Sequence, residues 1–458
     1  MKIVISGGTE IGLLFAKVLA DKNDLHVIEN DPESIKKLEQ LDLQVVDGNP
    51  TALSVLQEAR VEHADAFIAC AHSDEVNVIS CLAVKQMSKA RTFCFVNRSH
   101  YFETFAGELG EELIIDRIIW PEMLLGEYIA QIITVPGAID VKVFESEDLK
   151  LLEFRLKSGD AAIGKHLKDL NIPTGALAVA LFREEHVVIP GGMTKLTEGD
   201  KIIFIGHEAS MRKVEQRFNP APGRKSQNVV IVGGGNVGFI LAKTLEMSGN
   251  VKVRLIESSM KQCESLADRL TDKVLILNAD GTDPNFLRAQ QVVNCDCLVT
   301  LTGNDERNLF VSMHAKQLNA KKVITRAHNV DNIDFFEKLG VDVALSSQFI
   351  AVQSVNRQIL DESVDVFTIF EKGKAEIREV SVPAHFPPTK LMDLKLPEGV
   401  IIAAIRRGGR TMVPCGQDKI KGKDSLRVFC ASDRGETLVN YLQEYTEAAE
   451  KAEEEADS

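Results

Sequence analysis

Apolar runs near residues 2–6, 25–29, 43–46, 66–70 and 92–96 predict five strands. Between them lie segments such as Ser34–Gln40 and Glu75–Met87, whose apolar positions recur at helical spacing. Strands and helices in alternation predict an α/β fold with a doubly wound parallel sheet, because parallel neighbours need a crossover and the crossover helix covers the sheet. Beyond residue 140 the pattern changes. Leu151–Leu156, Ala176–Phe182, His186–Ile189 and Lys201–Ile205 predict a small strand-rich α+β module, with a turn at Arg183-Glu184-Glu185 and a helical stretch near Gly164–Leu170. Between the modules, Leu124, Leu125, Tyr128, Ile129, Ile132 and Ile133 form one apolar stripe at helical spacing.

The whole pattern then occurs a second time. Gly7 is answered by Gly233 and Glu29 by Glu257, at offsets of 226 and 228 residues. Asp74-Glu75-Val76-Asn77 is answered by Asp305-Glu306-Arg307-Asn308 at 231, and Arg98 by Arg326. In the small module, Pro173-x-Gly175 is answered by Pro397-x-Gly399, and Ile189-Pro190 by Val413-Pro414, both at 224. Offsets this steady mark a duplicated half-chain. The boundaries expected are 1–137 and 226–360 for the larger lobes, 138–218 and 361–445 for the smaller, and an acidic tail over 446–458. Pro220–Ser226 reads as the linker between halves, and Arg407-Gly408-Gly409-Arg410 as a tight hairpin.

Candidate chemistry lies at the first strand–helix junction of each half. Val229–Val232 runs into Gly233-Gly234-Gly235-Asn236-Val237-Gly238, a helical pattern follows, and a second apolar run ends on Glu257. Strand, GxGxxG turn, helix, strand and acid in that order suit a nucleotide diphosphate. Gly233 permits the turn and Gly235 a close approach of the pyrophosphate. Gly238 lets the helix pack closely, and the helix N-terminus faces the anion. Glu257 can accept from a ribose hydroxyl and would repel a 2′-phosphate, which favours NAD(H) over NADP(H) and leaves ATP/ADP open. As a strand-end acid it also has a plain structural reading. Asp305, Glu306, Asp74 and Glu75 fall at helix starts, where acids are favoured by the dipole, so capping is their expected task.

Composition narrows the function classes. The net charge, 53 − 67 = −14, argues against nucleic-acid binding. No apolar stretch is long enough to cross a bilayer, and the opening strand leaves no room for a signal peptide. Eight cysteines without a CxxC pair, and ten histidines without ligand spacing, predict buried reduced thiols and no metal site. No GxSxG, HExxH or P-loop occurs, so no catalytic residue is expected. Lys165-His166-Leu167-Lys168 reads as a solvated basic face.

The two glycine turns, their acids and the doubled small modules together resemble the TrkA family, tandem RCK proteins (regulators of potassium conductance) that serve Trk potassium uptake systems. The resemblance spans roughly residues 1–445. It implies two Rossmann-like N-lobes, each followed by an RCK C-lobe. It also implies a cytoplasmic regulatory subunit, peripheral on the inner face of the membrane, which binds NAD(H) or ATP/ADP and gates a membrane potassium-translocating subunit. A homodimer or homotetramer follows in the same way, with the stripe at 124–133 packed on a neighbouring subunit. Two alternatives stand beside it: an NAD-dependent oxidoreductase with duplicated cofactor domains, and an RCK-type regulator of another transporter.

By the resemblance, Gly233, Gly235, Asn236, Val237 and Gly238 hold the phosphates and Glu257 the ribose. Asp280 lies beside the adenosine, Thr302 lines the pocket and Arg326 reaches the phosphates. The first copy offers Gly7, Gly8, Thr9, Glu10, Ile11, Gly12, Glu29, Asn49 and Arg98. It departs from the pattern at Thr9, Asn49 and Ala71, which stand for Gly235, Asp280 and Thr302. The first site is therefore expected to bind nucleotide more weakly, differently or not at all.

Overall fold

A computed structural model describes residues 1–20, 23–41, 43–105, 115–135, 137–144, 149–184, 186–218, 226–289, 295–360, 366–370, 375–431 and 434–456. Most of the expected linker, 220–225, and Glu185 of the expected turn lie outside the described residues. The chain divides into two compact units, Met1–Ala130 with Lys225–Ile359 and Gln131–Arg224 with Leu360–Ser458.

In the first lobe, strand β1 (Lys2–Ser6) leads through α1 (Glu10–Leu19), β2 (Asp24–Glu29) and α2 (Pro32–Glu39) to β3 (Gln44–Asp47). Then come α3 (Leu53–Glu58), β4 (Ala66–Ala69), α4 (Asp74–Met87), β5 (Arg91–Phe95), α5 (Ser99–Phe105), β6 (Arg117–Ile119) and α6 (Pro121–Thr134). Its parallel sheet has the order β3-β2-β1-β4-β5-β6. The order reverses between β1 and β4, and that switch opens a crevice at the carboxyl ends of the strands.

The first small lobe contains β7 (Ala138–Phe144), β8 (Leu149–Arg155), β9 (Ala176–Arg183), β10 (His186–Val188), β11 (Lys201–His207) and α7 (Glu208–Phe218). Its sheet is antiparallel, in the order β10-β9-β11-β8-β7. The helical stretch expected near 164–170 shrinks to a 3₁₀ turn over Leu167–Leu170. Leu167 and Leu170 bury there while Lys165 and Lys168 stay exposed. Four residues are too few for an α-helix to nucleate.

The second large lobe runs β12 (Gln227–Val232), α8 (Asn236–Met247), β13 (Val251–Glu257), α9 (Met260–Arg269), β14 (Val274–Asn278) and α10 (Pro284–Ala289). It continues through β15 (Cys297–Thr300), α11 (Asp305–Gln317), β16 (Val323–Arg326), α12 (Asn332–Lys338), β17 (Val343–Leu345) and α13 (Ser347–Leu360). The order β14-β13-β12-β15-β16-β17 repeats that of the first lobe. The second small lobe has β18 (Val366–Phe370), β19 (Ala375–Ser381), β20 (Thr389–Lys390), β21 (Val400–Arg407), β22 (Arg410–Met412), β23 (Lys419–Ile420), β24 (Ser425–Ala431) and α14 (Gly435–Ala456). Gly408 and Gly409 both have positive φ, +54° and +78°, as a tight hairpin between β21 and β22 requires. The acidic tail continues α14, which packs at least as far as the buried Thr446.

Within the first unit the two Rossmann-like lobes share a core. Ala351, Val352, Val355 and Ile359 of α13 bury among Ile3, Ile5, Phe15 and Val27 of the other lobe. In return α6 lies on α8, where a Cβ on Gly126 would stand 2.7 Å from Ile240 Cγ2. Each lobe's last helix thus packs on the other lobe.

In the second unit both five-stranded sheets meet in one core, with Leu151, Val179, Ile203 and Ile205 against Ile377, Ala403 and Phe429. Each small lobe is pinned by an Arg–Asp fork. Arg183 donates through Nε and Nη2 to Asp200 at 2.9 Å each, and Thr197 adds its amide and hydroxyl at 2.7 and 3.0 Å. Arg407 and Asp424 repeat the fork. Burial works to raise the Asp200 pKa, but Arg183 and Thr197 outweigh it and hold the carboxyl below the ordinary value of 3.8. A depressed folded-state pKa gives stability that is present above the unfolded value and lost as pH falls through the folded one. Asp200→Ala should therefore lower the urea midpoint by an amount equivalent to about 1–3 kcal/mol at pH 7. The deficit should shrink below about pH 4.

Candidate functional site

At β12, the switch of strand order, Gly233 has φ +109°, and a Cβ there would lie 2.8 Å from the Leu301 carbonyl carbon. Only glycine turns the chain so tightly there. A Cβ on Gly238 would stand 2.0 Å from the Gly233 oxygen, so the first turn of α8 sits directly on the loop. At Gly235 a Cβ would meet nothing within 4 Å. Gly235 is the N-cap of α8 and offers no side chain to it. The amides of Asn236, Val237 and Gly238 thus begin an uncapped helix, with the positive end of its dipole facing the opening. The Val237 side chain is buried, so it can meet a ligand only through its backbone.

The adjoining cleft, about 280 Å³, is lined by Gly233, Gly235, Glu257, Asp280, Thr302 and Arg307, among others. It approaches the lower end of small-molecule pockets, about 300 Å³. Glu257 ends β13 and is oriented by the Gly234 amide at 2.7 Å, the Ser259 amide at 2.8 Å and the Ser258 hydroxyl at 3.2 Å. Its remaining lone pairs can accept from vicinal hydroxyls. The amide and hydroxyl of Thr282 hold the Asp280 carboxyl below its ordinary pKa, with a smaller contribution from Arg307. Thr302 is fixed by Asn308, which accepts from its amide at 2.8 Å and its hydroxyl at 2.7 Å.

Arg326, at the end of β16, does not line this cleft. Its Nη1 donates to Glu122 Oε1 of α6 at 3.1 Å, while its buried Nε has no hydrogen-bond partner. The other Glu122 oxygen accepts from Asn236 Nδ2 at 2.8 Å. Sequence reasoning missed Glu122 and Arg307. Arg307 could have been found, because Val76 stands at its place in the first copy. Nothing in the sequence pairs Glu122 with a site more than a hundred residues away.

The first copy keeps the frame and changes the chemistry. Gly7 has φ +112°, and Gly12 again abuts the Gly7 oxygen. Thr9, however, caps α1: its hydroxyl accepts from the Gly12 amide at 3.3 Å and donates to the Cys70 carbonyl at 2.8 Å. One amide that could meet a phosphate is thereby satisfied. Glu10 places a carboxylate in the first turn, where it accepts from Gln348 Nε2 at 2.6 Å. Ile11 packs against the shared core. Glu29 is 9% exposed and takes up the amides of Gly8, Asn30 and Asp31. Asn49 accepts from Thr51 as Asp280 does from Thr282, without the charge.

Two expectations are corrected. Arg98 is not the counterpart of Arg326. Asn77 donates to the Phe95 carbonyl as Asn308 does to that of Arg326, so Phe95 holds the equivalent place. Arg98 lies three residues further on, bound to Asp74 at 3.0 Å and Glu75 at 2.6 Å, with its guanidinium over Tyr101. The offset drifts because apolar runs align without regard to loop geometry. Nor are the paired acids helix caps, since Ser73 and Asn304 fill that role. Asp74 instead clamps the amides of Asn97 and Arg98, and Asp305 those of His328 and Asn329.

Of the eight cysteines only Cys415 is exposed, and none forms a disulfide. Burial pushes the Cys70 thiol up to about 12. Among the described residues no acid, histidine and cysteine cluster suits a metal ion, and no helix is long and apolar enough to cross a membrane.

Fold and turn geometry define a tandem pair of Rossmann-like lobes, each with a small α+β companion. The chain matches the TrkA-N domain over residues 3–121 and 229–347, and the TrkA-C domain over 151–219 and 377–443. It belongs to the TrkA family. It is 31% identical to the "Trk system potassium uptake protein TrkA homolog 1" of Methanosarcina mazei, covering 97% of this chain and all of the relative. The homologue of Archaeoglobus fulgidus is 32% identical over 96% of this chain and 99% of its own length. The TrkA protein of Halomonas elongata is 30% identical over 95% and 96%. Among solved structures, the GsuK RCK domain shares the fold with a TM-score of 0.62 at 19% identity, over 96% of this chain and 95% of that one. The GsuK channel bound to NAD gives the same TM-score at 20% identity, over 96% and 79%.

Gly238→Ala forces a Cβ onto the Gly233 carbonyl and should cost roughly 1–3 kcal/mol. Gly235→Ala places one in open space and only exchanges one N-cap residue for a poorer one, so it should cost less, about 0.5–1 kcal/mol. Urea denaturation of both full-length variants checks the contrast.

Proposed function

We propose that this chain is a non-catalytic regulatory subunit of a Trk-type potassium uptake system, cytoplasmic and peripheral on the inner face of the membrane. It senses an adenine nucleotide in the cleft of its second Rossmann-like lobe. The observation that carries the reading is the contrast between Gly235, an uncapped helix start beside an open cleft, and Thr9, which closes the same place in the first lobe. Gly233 to Gly238 hold the pyrophosphate, Glu257 the ribose hydroxyls, and Asp280, Thr302 and Arg307 the nucleoside side. A carboxylate at Glu257 disfavours a 2′-phosphate, so NAD(H), ATP or ADP fits better than NADP(H).

Membership of the TrkA family and the names of its Trk-system relatives support a membrane potassium-translocating subunit as the partner. The chain acts there as a homodimer or homotetramer. Nucleotide shifts the arrangement of the lobes only as far as it binds one arrangement better, about 1–3 kcal/mol in typical couplings.

Titration of the full chain with NAD or ADP should give one site per chain, and Gly235→Thr should abolish it. Two equal sites, or binding that survives Gly235→Thr, would refute the assignment to the second lobe. Potassium flux into vesicles carrying the membrane subunit should depend on this protein and on the nucleotide, and flux indifferent to both would refute the regulatory role.

A further inference from the structure

A carboxylate from the other lobe stands beside the glycine turn of the second lobe, next to the cleft. Glu122, the second residue of α6, sets one carboxylate oxygen on Arg326 Nη1 and the other on Asn236 Nδ2. Asn236 is the first residue of α8, so the carboxylate stands beside the helix start where a phosphate is favoured. The pair is largely withdrawn from water, the Glu122 and Arg326 side chains being 25% and 14% exposed. Arg326 Nε, buried and without an acceptor, leaves the guanidinium only partly satisfied, although its fork can bind two oxygens at once.

Resting on the nucleotide reading above, we propose that Glu122 is an internal competitor for the phosphate-binding groups of the second lobe. An incoming diphosphate takes Arg326 and Asn236 from Glu122, and the displaced carboxylate loosens α6 from α8. The charge argument has one sign in either geometry. If Glu122 stays, two anions face each other at close range; if it leaves, its ion pair is lost. Both outcomes oppose binding. Occupancy of the second site is therefore linked to the docking of a first-lobe helix, and by reciprocity, undocking that helix tightens nucleotide.

The duplicate contact on the opposite side supplies a control. Gln348, the second residue of α13, donates to Glu10 in the first turn of α1, repeating the contact of Glu122 with Asn236 but with no ion pair to it among the described residues.

The test is calorimetric titration of the full-length protein with ADP and with adenosine, in chelator so that no divalent cation bridges the anions. Glu122→Gln should bind ADP about fivefold or more tightly than the parent, with adenosine unchanged. Gln348→Ala, which weakens the lobe pair elsewhere, should leave ADP affinity as it was. Exchange of α6 amides should rise when ADP, but not adenosine, is added to the parent. ADP affinity unchanged or reduced in Glu122→Gln would overturn the competition while leaving the nucleotide site intact. Equal tightening of adenosine, or a matching effect from Gln348→Ala, would overturn it as well, because the phosphate would then have no part. A parent chain that binds neither ligand would overturn the underlying assignment.

Discussion

The burial of one lobe's last helix against the other lobe is the constraint on which the first unit depends. Ala351, Val352, Val355 and Ile359 are all nearly without solvent contact in a core made by the other half of the duplication. Full burial of a Val- or Ile-sized side chain is worth about 1.5–3 kcal/mol, so this seam is a substantial share of what any domain can offer as net stability. It also fixes the approach of α6 to α8, and with it the residues that face each other at each glycine turn. Glu122 meets Arg326 and Asn236 because of that packing.

Duplication allowed the two turns to diverge without cost to the frame. Gly7 and Gly12 must remain glycines for steric reasons, as must Gly233 and Gly238, because backbone atoms occupy the space a Cβ would need. Gly235 is under no such pressure, and Thr9 at its counterpart is well accommodated as a helix cap. The glycines that define the motif to the eye are thus mostly about folding. The one that bears on a ligand is the one with empty space around it. Around Thr9 the other changes point the same way: Glu10 brings negative charge, Phe95 stands where Arg326 does, and Val76 where Arg307 does.

Much of the architecture was legible from patterning. Strands of parallel sheets are buried on both faces and read as continuous apolar runs, so the doubled α/β fold could be read from the sequence. Short elements were harder: the Leu167–Leu170 turn looked helical because three apolar or basic residues mimic one turn of a longer stripe. The mistaken match of Arg98 with Arg326 has a related cause. Sequence offsets count residues, whereas the Asn77 and Asn308 hydrogen bonds mark true equivalence.

By itself, then, the sequence determined the tandem plan, the strand–turn–helix frame at Gly233–Gly238, the acid at Glu257 and the loss of glycine at Thr9. These are local properties, set by periodicity and by the steric demands of a few consecutive residues. Only the tertiary structure decided that Thr9 caps its helix and that Arg307 lines the cleft. It alone placed Glu122, from the other half of the molecule, on the cation beside the phosphate turn. Those outcomes depend on distances between segments far apart in the chain, and charge or hydropathy read along one dimension carries no record of them.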